Sequence, residues 1–195
     1  MFFEDFLLEL AALGAVDWAA TLTALVYVVL AARANPWCWV WGMISCALWA
    51  YASFFFYHLW LDAILQLFYV AMAFVGWYRW QFGGAQQSAL PVTCLRLRQH
   101  LLIWLFGGLA TLVFGYFFSA YTPAAATYAD AFTTVFSVVA TIMLIQKKLE
   151  NWLYWIVTDL TYVWLYGTRG AYLFAILMVV YTVIAIVAYR RWQKL

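Results

Sequence analysis

The sequence predicts an all-α integral membrane protein of seven transmembrane helices, arranged as two parallel three-helix repeats joined by a linker helix. Three observations carry this expectation. The composition is too apolar for a soluble fold, the basic residues segregate to one side of the implied membrane, and aromatic and polar positions recur between the two ends of the chain.

Of the 195 residues, 69% are hydrophobic and 9% charged, with a mean hydropathy of +0.90. Soluble domains are about 45–50% apolar and about 25% charged. A chain of this size cannot bury so much apolar surface internally, so it faces lipid. The first residues, MFFEDFLLEL, are acidic. A secretory signal peptide needs a basic start and a cleavage site, so the first span is expected to stay in the mature protein. Cys38, Cys46 and Cys94 show no metal or disulfide spacing. Cys38 and Cys46 lie in an apolar run and read as small core residues.

A membrane helix needs about 20 mostly apolar residues. Seven such stretches occur, at 14–32, 37–57, 60–80, 101–119, 127–146, 151–167 and 171–190, within a single transmembrane domain spanning 1–195. Only Tyr57, His58 and Leu59 separate the second stretch from the third. The fourth follows the one long polar connection, FGGAQQSALPVTCLRLRQH (82–100), whose Gly, Gln, Ser and Pro mark a linker.

Seven spans put Arg33, the Arg79/Arg96/Arg98 loop, Lys147/Lys148 and the tail Arg190/Arg191/Lys194 on one side. That side holds nine of the ten basic residues, and Arg169 is on the other. Lys and Arg concentrate in cytoplasmic loops. The C-terminus is therefore expected in the cytoplasm and the acidic N-terminus, with Glu4, Asp5 and Glu9, outside.

The end of the chain echoes its beginning. Trp37, Trp49 and Tyr51 match Trp152, Trp164 and Tyr166 at an offset of 115, and Asn35 matches Asn151 with one inserted residue. Tyr69 matches Tyr181, and Arg79–Trp80–Gln81 matches Arg191–Trp192–Gln193, at an offset of 112. Asp17 with Thr21 corresponds to Asp130 with Thr134. Residues 14–80 and 127–190 thus read as two copies, with 101–119 as the linker helix. One extra span gives both copies the same topology, about an axis along the membrane normal. Repeated bundles of this kind are typical of transporters that hold substrate between the halves.

Ionisable groups at mid-membrane cost about 2.5–3.5 kcal/mol on insertion scales and usually face a cavity or a partner. Asp159 shares a helix face with Trp152, Trp155, Tyr162 and Tyr166. A carboxylate among aromatic rings suits a flat cationic ligand. In the third span, Asp62, Gln66 and Tyr69 are spaced i, i+4, i+7, with Asp62 near the outer boundary. Gln66 and Tyr69 reach a depth near that of Trp155 and Asp159, and the Gln66 amide can both donate and accept. Asp130, Thr134, Ser137 and Thr141 lie along one face of the fifth span. Such hydroxyls serve as interhelical glue or as ligand contacts, and Thr134 is counted among the candidate contacts.

Several chemistries find no support. The chain has no phosphate-binding loop motif, and its two His, His58 and His100, sit near loops without clustered ligands. No Ser or Cys nucleophile accompanies His58 and Asp62. No Lys stands within the last span to carry a retinal Schiff base. The expectation is a non-enzyme without cofactor or metal, and without a nucleic-acid partner.

These residues resemble the PnuC family of vitamin transporters, over nearly the whole chain. The segment KKLENWLYWIVTDL (147–160) is similar to the family's basic–Glu–Asn–Trp–x–x–Trp signature. LQLFYVAMAFVGWYRW (65–80) is similar to its Leu–Gln–x–x–Tyr…Gly–Trp–Tyr–x–Trp segment. The resemblance implies a 3+1+3 arrangement, a full-length relative of the sugar-carrying SWEET fold. It also implies facilitated diffusion of an unphosphorylated vitamin, usually nicotinamide riboside, across the bacterial inner membrane, with retention by a separate cytoplasmic kinase. Carried over position by position, Gln66, Tyr69, Asn151, Trp152 and Trp155 would line the site, beside Asp159, Tyr162 and Thr134. Members of the family also carry thiamine or deoxynucleosides. Nicotinamide riboside and thiamine are both aromatic cations, so Asp159 does not choose between them. A thiamine carrier and a proton-coupled carrier with Asp159 as relay are the alternatives. The implied partners are the vitamin and the lipid bilayer, with a homo-oligomer, a trimer included, left open.

Overall fold

The computed structural model describes residues 2–58, 60–121 and 127–195, with side chains for all of these but 2–5, 8, 61 and 62. Asp62, a weaker candidate contact, thus lies outside the described side chains. Among the described residues the chain forms eight α-helices. They are α1 (Phe2–Ala12), α2 (Ala15–Ala32), α3 (Cys38–Phe55), α4 (Trp60–Phe82), α5 (Leu97–Tyr121), α6 (Thr127–Ile145), α7 (Asn151–Thr168) and α8 (Tyr172–Trp192). Helices α2 to α8 coincide with the seven expected stretches to within a few residues at each end. The expectation did not include α1. Its Glu9 carboxylate accepts the Tyr172 and Leu173 amides at 3.1 and 2.8 Å. A negative charge thereby covers the positive end of α8.

Five helices, α2, α3, α5, α6 and α8, are long and apolar enough to cross a membrane by length and composition. Helices α4 and α7 are of similar length, 23 and 18 residues. They are less apolar because they carry Gln66 and Arg79, and Asn151, Thr158 and Asp159. Apolar side chains of α5 such as Leu105, Leu109, Leu112 and Val113 are exposed, as a lipid-facing helix requires. The chain is a multi-pass α-helical membrane protein.

Helices α2, α3 and α4 pack in sequence on one another, as do α6, α7 and α8. The two groups meet where α2 touches α8 and α4 touches α6. Helix α5 leans on α6. Its Trp104 lies 4.7 Å from the Phe136 ring and 5.8 Å from Tyr154, centroid to centroid. His100, also on α5, meets the Tyr154 hydroxyl at 2.9 Å.

The turns that close α2 and α6 share one pattern. Each holds a left-handed non-glycine residue, Ala34 (φ 52°) and Lys147 (φ 49°). Ala34 N–H bonds Ala31 O and Asn35 N–H bonds Leu30 O; Lys147 N–H bonds Leu144 O and Lys148 N–H bonds Met143 O. Every pair is related by an offset of 113, with no insertion. The expected pairing of Trp37 with Trp152, and of Asn35 with Asn151, is corrected by this register. In this register Trp39 aligns with Trp152 and Cys38 with Asn151. Trp37 is 60% exposed, whereas Trp39 and Trp152 are each 2% exposed. Tryptophan spacing alone aligned an interface anchor with a core residue.

The segment after α4 is more than a spacer. Thr93 N–H bonds Lys147 O and Leu149 N–H bonds Thr93 O, at 3.0 and 2.9 Å. The Leu95 amide donates to both Glu150 carboxylate oxygens at 3.0 Å. Lys147 Nζ donates to Leu90 O at 2.9 Å and sits 4.7 Å from the centre of the Trp80 ring. This burial holds the Lys147 ammonium below its ordinary lysine range. The segment is stitched across the α6–α7 turn by backbone pairing, which composition cannot reveal.

Candidate functional site

Between the two helix groups lie three adjoining cavities of about 80, 290 and 350 Å³. Trp155 and Tyr181 line all three, so they are compartments of one space. Helix α7 supplies Trp155, Asp159 and Tyr162, which its 3.6-residue period sets on one inward face. Helix α4 supplies Gln66 and Tyr69, α2 Tyr27, and α8 Tyr181. Ser137 and Thr141 of α6 complete the wall. The Thr141 hydroxyl donates to Ser137 O at 2.8 Å, satisfying itself within its helix.

Asp159 is 4% exposed. Among the described residues it makes no ion pair and no hydrogen bond, and no Lys or Arg lines the three cavities. A buried carboxylate without a partner is costly. Here it is held against a space walled by Trp and Tyr rings. Such a space attracts a cation and offers ring faces for stacking. The aromatic wall continues along α7, where Tyr162 stacks on Tyr166 at 5.5 Å and 11°.

Toward the end of the bundle that carries α1, a further cavity of about 470 Å³ shares Trp49 and Phe174 with the innermost set. Glu9, Ser53 and Tyr57 also line it. Near this end the Tyr57 hydroxyl donates to Asp17 Oδ2 at 2.7 Å, and Arg169 pairs with Asp130 at 2.9 Å. The row of spaces therefore runs from Asp159 to the acidic face. Toward the basic face it stops at four buried indoles, Trp39, Trp80, Trp152 and Trp192.

Six of the eight residues expected from the sequence line this space: Gln66, Tyr69, Trp152, Trp155, Asp159 and Tyr162. Two do not. Asn151 is fully buried behind Trp152, and its Nδ2 donates to Lys148 O at 2.6 Å. Thr134 lines a separate cleft between α5 and α6 with Phe114 and Phe118. One helical face of α6 spans both surfaces, so a shared face did not place Thr134 at the cavity. Tyr27 and Tyr181 line the space beyond the eight expected residues. Tyr181 was legible as the counterpart of Tyr69; Tyr27 carried no repeat signal. Cys46, expected as core packing, also lines the cavity.

A multi-pass helical protein whose helices surround an aromatic cavity with a buried carboxylate has the architecture of a small-solute transporter. The model of the family described as Nicotinamide mononucleotide transporter matches residues 14–194, and the chain belongs to that family. It is 26% identical over 203 residues to the "Nicotinamide riboside transporter PnuC" of Escherichia coli (strain K12), covering 91% of this chain and 84% of that protein. The protein of the same name from Neisseria mucosa is 27% identical over 188 residues, covering 90% of this chain and 71% of the relative. The "Crystal structure of the Vitamin B3 transporter PnuC" has the same fold, with a TM-score of 0.72 at 23% identity, covering 99% of this chain and 88% of that one. The family and these relatives are named as transporters, a non-enzymatic function.

Proposed function

We propose that the chain is a seven-span facilitated-diffusion carrier that imports nicotinamide riboside across a bacterial inner membrane. The observation that carries this reading is the unpaired Asp159 carboxylate facing Trp155 and Tyr181, in a lining without Lys or Arg. The pyridinium ring of the riboside is a flat cation that can stack on an indole beside a carboxylate. Gln66, Tyr69 and Tyr162 offer donors and acceptors for its carboxamide and ribose hydroxyls. A mononucleotide would bring a phosphate against a carboxylate with no basic partner, so the lining favours the riboside that the curated relatives are named for.

The 3+1+3 arrangement, with α5 as the linker helix, is supported by the helix contacts. Exchanging α2 with α6 and α4 with α8 turns the α2–α8 contact into the α6–α4 contact, and both are present. The charge split supports a cytoplasmic C-terminus and an N-terminus outside. The riboside then arrives at the acidic face, and a separate cytoplasmic kinase retains it as a phosphate ester that the cavity does not accommodate. The proposed contacts are Gln66, Tyr69, Trp152, Trp155, Asp159 and Tyr162.

The test is calorimetric binding of nicotinamide riboside, nicotinamide mononucleotide and thiamine to purified protein, with Asp159→Asn and Trp155→Ala alongside. The riboside is expected to bind, the mononucleotide not, and both variants to bind weakly. Thiamine binding with none to the riboside would replace the substrate. Wild-type affinity in both variants would remove the site.

A further inference from the structure

We infer that the four-indole layer is the gate on the basic side of the cavity, latched by two indole-to-carbonyl hydrogen bonds between the helix groups. Trp80 Nε1 on α4 donates to Leu144 O on α6 at 3.0 Å. Trp192 Nε1 on α8 donates to Ala31 O on α2 at 3.2 Å. The donors are 112 residues apart and the acceptors 113, so one bond repeats the other with the groups exchanged. Each acceptor lies in the last turn of its helix, where a carbonyl has spare capacity. The rings close the space between them. Trp39 meets Trp80 edge-on at 5.4 Å, Trp80 meets Trp192 at 5.7 Å, and Trp152 meets Trp192 edge-on at 5.5 Å. Trp39 and Trp152 form the floor of the cavity; Trp80 and Trp192 lie behind them.

The layer carries its own counterweight. The indole N–H groups of Trp39 and Trp152 are buried without a partner. A buried donor left unbonded is costly. Opening the layer would let water reach both, which opposes the two latch bonds. The closed state is therefore held lightly, as a gate must be. Movement is transmitted directly, because α4 touches the Trp39 ring with its backbone. A Cβ on Gly76 would lie 2.5 Å from that ring. With the row of cavities reaching the acidic face and the indoles shut below, this conformation is open to the acidic side.

The inference rests on the carrier reading, and its test is separable from it. Two native thiols report on the two sides: Cys46 lines the cavity, and Cys38 is fully buried in the indole layer. Proteoliposomes would carry either Cys38→Ser/Cys94→Ser protein, leaving Cys46, or Cys46→Ser/Cys94→Ser protein, leaving Cys38. A membrane-impermeant methanethiosulfonate is added to one face at a time. Cys46 is expected to react faster from the acidic face, and Cys38 to resist from both. Trp80→Phe with Trp192→Phe keeps the rings and removes the latch donors. It is expected to raise Cys38 labelling from the basic face by roughly tenfold or more. Unchanged Cys38 labelling in folded double variant would overturn the latch. If the double variant does not fold, the Cys46 result in otherwise native protein still decides: equal rates from the two faces, or faster labelling from the basic face, would overturn the gate. Riboside binding, measured on the same samples, reports independently on the carrier reading.

Discussion

Replacing Asp159 by Asn removes a charge and keeps the shape. Trp155 and Asp159 are one turn apart on α7, so a pyridinium stacked on Trp155 would hold its charge about 6 Å from the carboxylate. At an effective dielectric constant of about 20, that attraction is worth about 3 kcal/mol. The carboxylate loses hydration in the occupied cavity, which offsets about a third of this and leaves about 2 kcal/mol, or about 30-fold in Kd. Calorimetry in detergent, at fixed low salt, measures the change. The reduced dihydropyridine riboside supplies the control, because it has nearly the same shape without the ring charge. Its affinity is expected to change less than about threefold in the variant. Equal losses for the charged and neutral ligands, or no loss for the charged one, would refute an electrostatic role for Asp159.

Gly76→Ala forces a methyl against the Trp39 ring. It should cost about 1–3 kcal/mol of stability, whereas Gly167→Ala, with nothing within 4 Å, should be neutral or mildly stabilising; thermal melts compare them. Thr134→Val should leave riboside affinity within about twofold by calorimetry, since Thr134 faces the α5–α6 cleft. Lys147 has a lowered folded-state pKa because it is buried. Between that value and the ordinary lysine value of 10.5 the unfolded chain binds more protons, so its contribution to stability rises with pH through this window. Melting temperatures from pH 8 to 10.5 should therefore climb in wild type relative to Lys147→Met, and parallel curves would contradict this.

The spans were legible because lipid imposes a long apolar run on each helix, and the seven stretches fall on α2 to α8 with shifts of a few residues. Helix α1 is not legible in the sequence because it is short and acts through Glu9 on the distant start of α8. Asp159, Trp155 and Tyr162 could be read together because a single helix face orders them. Gln66 and Tyr69 followed from depth along α4. Tyr27 could not be read, since its place depends on how α2 meets α3 and α8. Thr134 shows the converse: helical periodicity fixes which residues share a stripe, but not where the stripe passes from cavity to a neighbouring helix. The register of the two halves is obscured in the sequence for a related reason. Tryptophan recurs at the interface and in the core, so its spacing alone aligned exposed Trp37 with buried Trp152.

The corrected offset of 113, fixed by the turns at Ala34 and Lys147, says how unlike the two halves are inside. Gly42 stands where the other half has Trp155, Cys46 where it has Asp159, and Tyr27 where it has Ala140. Tyr27 lies over Gly42, its ring 3.0 Å from where a Cβ would be. Bulk has therefore changed sides: one half fills its helix crossing with a phenol from α2, and the other fills the corresponding crossing with an indole from α7. In the proposed 3+1+3 frame a ligand need not lie on the axis that relates the halves. In the proposed site the half with Asp159 and Trp155 would grip it, and the half with Gly42 and Cys46 would leave the room. Mutations at equivalent positions should thus have unequal effects, and the cavity carboxylate belongs to one half alone.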